Sequence, residues 1–347
     1  MVISGFWVDF NYIHLTTDLG KLFGLVINRR LMQWSEKTGM VVDEQGGFRP
    51  FRGTPDQIFL FRETLISRTE MRLPTYTLFL DVRKAYDTVW RESAYVDIHK
   101  AGVNGKLWRQ LQSMHGNMTR KVRLPFGTSE AFRILRGAAQ GAVESPWLYS
   151  VFIDGLARAL KTRGLGVLVA GNRIPLLMYA DDIVLLASTE RELLAMCQVV
   201  SEYAHTHRFQ FNGSKCGVMV FGASPAMRAQ ASKVEWSVFG EKVEVVGKYE
   251  YLGSLTTNSP SDWSAHVRAL IAQASRKSAD LLWVCRAGNG MRPRTAVALW
   301  NAIVRPILEY GSELWAGEIS AKVTAEAETV QITFLQAMAG VHKRAWG

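Results

Sequence analysis

The residues best placed for chemistry are Asp181 and Asp182, in the run Tyr179-Ala180-Asp181-Asp182. An apolar stretch, Ile174-Pro175-Leu176-Leu177-Met178, leads into them, and another, Ile183-Val184-Leu185-Leu186-Ala187, leads out. Two short apolar runs about a tight acidic centre predict a β-hairpin buried on at least one face. Ionised carboxylates between buried strands are costly unless something positive, usually a metal ion, meets them. Earlier in the chain the device repeats: Thr75-Tyr76-Thr77-Leu78-Phe79-Leu80-Asp81 is a β-prone run that ends in an aspartate. Two strands delivering carboxylates to one place fit a two-metal phosphoryl-transfer site, where both ions need shared oxygen ligands. Each strand alone has a plainer reading, a turn acid or a helix-capping aspartate. The pair argues against it.

The elements that must position these acids are legible from periodicity. Residues 18–37 predict a helix with Asp18 as N-cap and Leu19, Leu22, Phe23, Val26, Ile27, Leu31 and Trp34 as its apolar face. A turn-rich segment, Gln45-Gly46-Gly47-Phe48-Arg49-Pro50, precedes a second helix over 55–71. After the strand to Asp81 come a helix through Trp90 to Ala101, a helix at 105–115, and a hairpin-like stretch at 119–135. In that stretch Val122, Leu124, Phe132 and Ile134 alternate with polar residues. Ser145-Pro146 opens a helix to Leu160, with Pro in its first turn. Beyond the 174–187 hairpin, a helix near 190–207 and strands at 216–222 and 243–246 follow. From about 256 the pattern is helical without strands: 262–285, 294–309 kinked near Pro306, and 321–338. The order is α+β rather than alternating βαβ.

With 347 residues the chain can hold two or three subdomains. Hydrophobic content of 48% and charged content of 21% are globular values. The net charge of +10 favours a polyanionic partner. It is concentrated: residues 102–137 hold seven Lys or Arg (Lys106, Arg109, Arg120, Lys121, Arg123, Arg133, Arg136) against one acid, Glu130. Cys197, Cys216 and Cys285 each stand alone, so no zinc-ligand spacing exists, and Cys216 and Cys285 are expected to be buried thiols in a reducing, intracellular compartment. No apolar run approaches the eighteen or so residues of a membrane span, and residues 1–10 lack the pattern of a secretory signal.

Six blocks, in order across about residues 11–255, resemble the reverse transcriptase domain of non-LTR (LINE-type) retrotransposons. They are Gln45-Gly46-Gly47-Phe48-Arg49; Phe79-Leu80-Asp81-Val82-Arg83-Lys84-Ala85-Tyr86-Asp87; Arg136-Gly137-Ala138-Ala139-Gln140-Gly141 with Ser145-Pro146; Tyr179-Ala180-Asp181-Asp182; Asn212-Gly213-Ser214-Lys215; and Tyr251-Leu252-Gly253. The later Leu299-Trp300, Val304-Arg305-Pro306, Tyr310-Gly311 and Trp315 resemble the tract that follows the domain in such elements.

The resemblance implies a right-hand polymerase, with fingers in about 1–75 and 102–140, an antiparallel-sheet palm in 76–101 and 141–255, and a helical thumb from 256. It implies RNA-templated extension of a DNA primer with deoxynucleoside triphosphates and two Mg²⁺ ions, Mn²⁺ being the alternative. Asp81 and Asp181 would bridge the ions, the Val82 carbonyl adding an oxygen and Asp182 supporting them. Asp87 competes for that role against a plain helix-end acid. Tyr86 would exclude the ribose 2′-hydroxyl, Arg49, Gln140 and Gly141 would meet the nucleotide, and Lys215 would protonate pyrophosphate. Arg120, Lys121, Arg123, Arg133 and Arg136 would hold nucleic acid. No protein partner is inferable.

Two blocks depart from the family pattern. Asn11-Tyr12-Ile13-His14-Leu15 lacks the usual arginine, leaving Lys21, Arg29 and Arg30 as candidates for the triphosphate, and Ala142-Val143-Glu144 replaces a small or acidic residue, Pro and an aliphatic residue. Glu144 is expected either to face the nascent base pair or to turn outward and cap the helix at Ser145. These departures keep open a second reading, a retrotransposon relic that binds nucleic acid without efficient chemistry. No endonuclease is visible at either end, which reads as a fragment, a domesticated copy or a truncated gene.

Overall fold

The computed structural model describes residues 17–116, 119–134, 136–286 and 290–340, with the side chains of His115, Arg120 and Leu124 left aside. The Asn11–Leu15 block and the Arg120 side chain therefore lie outside the described residues. In chain order the elements are α1 (Asp18–Thr38), α2 (Thr54–Glu70), β1 (Thr75–Asp81), α3 (Ala85–Thr88), α4 (Arg91–Lys100) and α5 (Gly105–Gly116). Four two-residue strands follow: β2 (Thr119–Arg120), β3 (Arg123–Leu124), β4 (Gly127–Thr128) and β5 (Phe132–Arg133). Next are α6 (Ser145–Thr162), β6 (Val167–Val169), β7 (Asn172–Ile174), β8 (Leu176–Tyr179), β9 (Asp182–Ala187) and α7 (Glu190–His207). Then come β10 (Gly217–Phe221), α8 (Pro225–Ala231), β11 (Trp236–Val238), β12 (Glu241–Val245), β13 (Lys248–Tyr251) and β14 (Ser254–Thr257). The chain finishes with α9 (Ser264–Arg286), α10 (Pro293–Ile303), α11 (Arg305–Leu308), α12 (Ser312–Trp315) and α13 (Ala321–Ala339).

Contacts divide the chain into two compact units. The first takes the described residues to Gly53, Thr75–Val218 and Pro225–Val245. Its centre is a sheet of order β11-β12-β10-β1-β9-β8, of which β10 contributes its first two residues to this unit. β1 pairs antiparallel with β9, β9 with β8 and β11 with β12, while β10 runs parallel to β12. β1 is buried on both faces from Thr75 to Leu80, and only Asp81 at its end emerges. That explains an uninterrupted β-prone run rather than strict alternation. α7 packs on β1, β9 and β11, and α6 packs on α1, α4 and α7.

Local differences from the sequence reading have physical causes. Thr17, not Asp18, caps α1, its hydroxyl accepting from the Gly20 amide at 3.2 Å. Of the expected apolar stripe Ile27 and Leu31 are buried, but Leu19, Leu22, Phe23 and Val26 are exposed. The helix expected through Trp90 is two, because the Val89 carbonyl accepts from the Gly137 amide (2.9 Å) instead of continuing the ladder. In the basic hairpin the alternating residues Val122 and Phe132 are exposed.

The second unit comprises Thr54–Pro74, Met219–Ser224 and the described residues from Val246. The hairpin β13–β14 packs through β14 on α9, and α9 packs with α10, α11 and α13 around Leu281, Cys285, Trp300, Val304 and Phe334. Arg62 of α2 is buried: its guanidinium donates to the carbonyls of Pro260 (2.6 Å) and Leu255 (3.1 Å) and lies 3.4 Å over the Trp263 ring. Burial pushes its pKa down to about 10. His266 accepts from the Leu255 amide at 3.2 Å, and burial, reinforced by Arg62, pushes its pKa down to about 4. Tyr310 donates its hydroxyl to the Leu252 carbonyl (2.7 Å) beside Gly253, whose φ of +74° suits a residue without Cβ. The helix expected at 294–309 breaks at Val304, since Pro306 has no amide to give the preceding turn.

Candidate active site

Strands β8 and β9 form a hairpin in which Tyr179 faces Asp182, leaving Ala180 and Asp181 as its two-residue loop. Ala180 has φ +58°, a conformation that hairpin loops usually give to glycine and that strains a residue with a Cβ. Across the sheet Asp182 is the register partner of Asp81, so the ends of β1 and β9 bring the acids of two sequence-distant segments side by side.

Asp81 is tied in from a third segment. The Asn212 amide donates to the Asp81 carbonyl and the Arg83 amide to the Gln210 carbonyl, each at 2.9 Å, flanking a bridge between Val82 and Phe211. The Asp81 amide donates to Cys216 Sγ at 3.4 Å. Lys215 Nζ lies 3.9 Å from Asp81 Oδ1 while remaining largely exposed. Gly213 lets this turn lie on β12: a Cβ there would sit 2.8 Å from Glu241 Cβ.

Asp81, Val82, Tyr86, Asp87, Gln140, Asp181 and Lys215 all line one cleft of about 700 Å³. The Arg136–Gly141 block reaches it by bonding to the segment after β1: the Ala138 amide donates to the Tyr86 carbonyl at 2.7 Å. Gly137, at φ +93°, sits where a Cβ would meet Asp87 backbone at 2.9 Å. Tyr86 stacks on the fully buried Tyr149 ring, centroids 5.4 Å apart.

The acids repel one another in the absence of a cation. Burial, then the charge of Asp81, raises the Asp181 carboxyl above its ordinary range. The Asp182 carboxyl is pushed up to about 6 by burial, then by Asp181 and Asp81. Asp182 keeps much of its surface in water, where solvent screens part of the repulsion from its two like-charged neighbours. Among the described residues no three His, Cys, Asp or Glu side chains stand close enough together to hold a metal ion as they are. Asp81 and Asp181 nevertheless supply hard oxygen donors to one cleft with mutual repulsion to relieve, which is the donor set a divalent cation fits.

The other expected residues divide. Arg49 does not line the cleft. Its side chain pairs with Glu36 at 2.7 Å and donates to the carbonyls of Val42 (3.0 Å) and Gln45 (3.2 Å), so it braces a loop. Gly141 adjoins Gln140 but is not among the residues lining the cleft. Lys21, Arg29 and Arg30 lie exposed on α1, and none lines the cleft. Lys121, Arg123 and Arg133 are exposed, and Arg136 joins Arg83, Lys84 and Arg208 around a smaller pocket of about 450 Å³. Glu144 does not turn outward to cap α6: it is buried, makes no side-chain cap, and its Oε2 lies 3.0 Å from where a Cβ on Gly24 of α1 would stand. Gln45 is the residue that sequence reasoning passes over. It is fully buried, and its side-chain oxygen accepts from the amides of Gly47 (2.8 Å) and Ala180 (2.9 Å). Its place in a family block is the available signal.

Residues 11–255 match the family model described as reverse transcriptase (RNA-dependent DNA polymerase). The chain is 25% identical over 334 residues to an RNA-directed DNA polymerase from mobile element jockey of Drosophila melanogaster, covering 93% of this chain and 34% of that protein. It is 24% identical over 336 residues to a Pol polyprotein from the type-1 retrotransposable element R2 of Popillia japonica, covering 95% and 45%. It thus spans less than half of either relative. Among solved structures it is similar to apo telomerase from Candida tropicalis, with TM-score 0.52, 13% identity, and coverage of 92% of this chain and 55% of that one. A form of that telomerase truncated from its C-terminal domain gives TM-score 0.51 at 14% identity, covering 70% and 45%. The fold is that of a right-hand polymerase, in the α+β class expected.

Proposed function

Since this chain belongs to the reverse transcriptase family, on its LINE-type retrotransposon side, we propose that it extends a DNA primer along an RNA template with deoxynucleoside triphosphates. The observation that carries this reading is the convergence of Asp81 and Asp181 on one cleft, with Asp182 in register beside Asp81. Asp81 and Asp181 would hold two divalent cations, Mg²⁺ or Mn²⁺, with the Val82 carbonyl and Asp182 in support. The chemistry such ions supply when bound is a lower pKa for the primer 3′-hydroxyl and neutralisation of the leaving oxygens. The protein's own part is placement. Tyr86, backed by Tyr149, offers a rigid wall to the sugar, against which a 2′-hydroxyl would clash. Gln140 offers a donor and an acceptor to the nascent pair. Lys215 has its ammonium beside Asp81 and within the cleft, where it can give a proton to departing pyrophosphate. The exposed basic residues Lys121, Arg123 and Arg133 would neutralise template and primer phosphates. In this reading the palm holds β1, β8 and β9, and the helices from 256 act as thumb.

The test is extension of a DNA primer on a homopolymer RNA template by the purified protein, compared with Asp81→Asn and Asp181→Asn. Each amide loses an anionic ligand with little change of shape, so each variant should lose extension and keep template affinity. Binding without extension by the wild type would favour the relic. Extension by both variants at wild-type rate would remove the two-metal assignment.

A further inference from the structure

The Gln45–Arg49 block stays out of the cleft, yet it is bonded to the strained loop that carries Asp181. We infer that Gln45 is a positioning residue, clamping the Ala180–Asp181 loop through the Ala180 amide so that the acids at the end of β9 face Asp81. The inference rests on the polymerase reading of the same acids.

Four observations carry it. The first is the pair of bonds to Gln45 Oε1, from Ala180 at 2.9 Å and Gly47 at 2.8 Å. Two amide donors facing one atom fix it as the oxygen. Gln45 Nε2, by contrast, is buried and has no partner among the described residues. Burying an amide with its nitrogen unsatisfied is unfavourable, and here the cost is offset by the two buried backbone amides that its oxygen satisfies, so the acceptor is what the position needs.

The second is backbone pairing beside it. The Gly46 amide donates to the Met178 carbonyl (2.8 Å) and the Met178 amide to the Glu44 carbonyl (2.9 Å), so the block lies along the hairpin strand just before its loop. The third is space. A Cβ on Gly47 would stand 2.3 Å from the Ala180 nitrogen, a main-chain atom that cannot swing aside. The fourth is anchorage from the other side. Asp154 of α6 accepts from the Val42 amide at 2.8 Å, Arg158 donates to the Met40 carbonyl, Lys161 pairs with Glu44 at 2.6 Å, and Arg49 pairs with Glu36 of α1. A loop fastened at both ends to helices can hold Ala180 at φ +58°, which the hairpin alone would not favour.

The experiment compares wild type with Gln45→Met, which keeps length without a comparable acceptor, and Gln45→Glu, which keeps an oxygen for both amides. Amide hydrogen exchange is followed in a peptide spanning 176–187, and primer extension gives kcat and KM. Gln45→Met should expose the Ala180 amide to faster exchange and lower kcat by on the order of a hundredfold, as a displacement of about 1 Å can. KM for the nucleotide and affinity for template should stay near wild type. Gln45→Glu should recover slow exchange and part of kcat. Gln45→Met with unchanged exchange and kcat overturns the inference, as does Gln45→Glu exchanging as fast as Gln45→Met. If Gln45→Met does not fold, Gly47→Ala reads the same point with Gln45 intact, and an unchanged kcat there overturns it too. A wild type that never extends a primer counts against the polymerase reading, while the exchange comparison still decides the clamp.

Discussion

Replacing Asp182 by asparagine should make the metal-free protein more stable above about pH 6 while impairing catalysis. The Asp182 carboxyl is displaced from an ordinary 3.8 to about 6, through burial and the charges of Asp181 and Asp81. At 1.36 kcal/mol per unit that gap is about 3 kcal/mol. Asp182 is substantially exposed, so solvent screening reduces the figure to roughly 1 kcal/mol. The sign follows from proton uptake. The folded state binds the proton more tightly than the unfolded chain, so stability is fully present below pH 3.8 and is lost as pH rises through about 6. Thermal unfolding of wild type and Asp182→Asn without divalent cations, from about pH 4 to pH 8, gives the comparison. The variant's advantage should be near zero at the acid end and open through the window to a plateau of roughly 2 °C. Millimolar Mg²⁺ should narrow it by stabilising the wild type. An asparagine variant that melts lower at neutral pH, or an advantage that does not vary with pH, would refute the picture of crowded, unneutralised acids.

Tyr86→Ala should raise incorporation of ribonucleotides relative to deoxynucleotides in the extension assay, and an unchanged ratio in a folded variant would return Tyr86 to an ordinary stacking role on Tyr149. Reversing charge at Lys121 and Arg123 should flatten the salt dependence of duplex binding, by about 0.9 in log–log slope for each phosphate left unneutralised; an unchanged slope would place both on a free face. His266, almost fully buried and held neutral, has its pKa lowered from 6.5 to about 4. Stability should therefore fall by about 3 kcal/mol as pH drops through that window. His266→Asn, which keeps an acceptor for the Leu255 amide without a titrating ring, should flatten that part of the denaturant-unfolding profile.

The acids are legible because a strand that ends in a carboxylate breaks an apolar pattern, and doing so twice is informative. The helices are legible to within a few residues wherever a 3.6-residue stripe meets a cap, as at α7. What sequence reasoning misses is long-range in origin. The Val89 carbonyl is taken by Gly137, and nothing near Val89 announces it. Arg49 is recognisable as part of a block, yet its pairing is not, because the acid it meets, Glu36, lies on the preceding helix and not in the block. Gln45 bonds to a backbone amide, which has no side-chain signature at all. Strands of three or four residues, such as β11 and β13, carry too few positions for period two to emerge.

The sheet order has a consequence for how the protein is made. β1 lies inside the sheet, and its antiparallel partner, β9, is translated much later. At roughly 5 to 20 residues per second, the ~100 residues between them take about 5 to 20 seconds to synthesise. During that interval Thr75-Tyr76-Thr77-Leu78-Phe79-Leu80, free of charge, proline and glycine, has no strand to pair with. Such a segment is a ready template for aggregation. Soluble yield of this protein should therefore depend on chaperones that shield nascent strands, and should improve when translation past residue 187 is hastened.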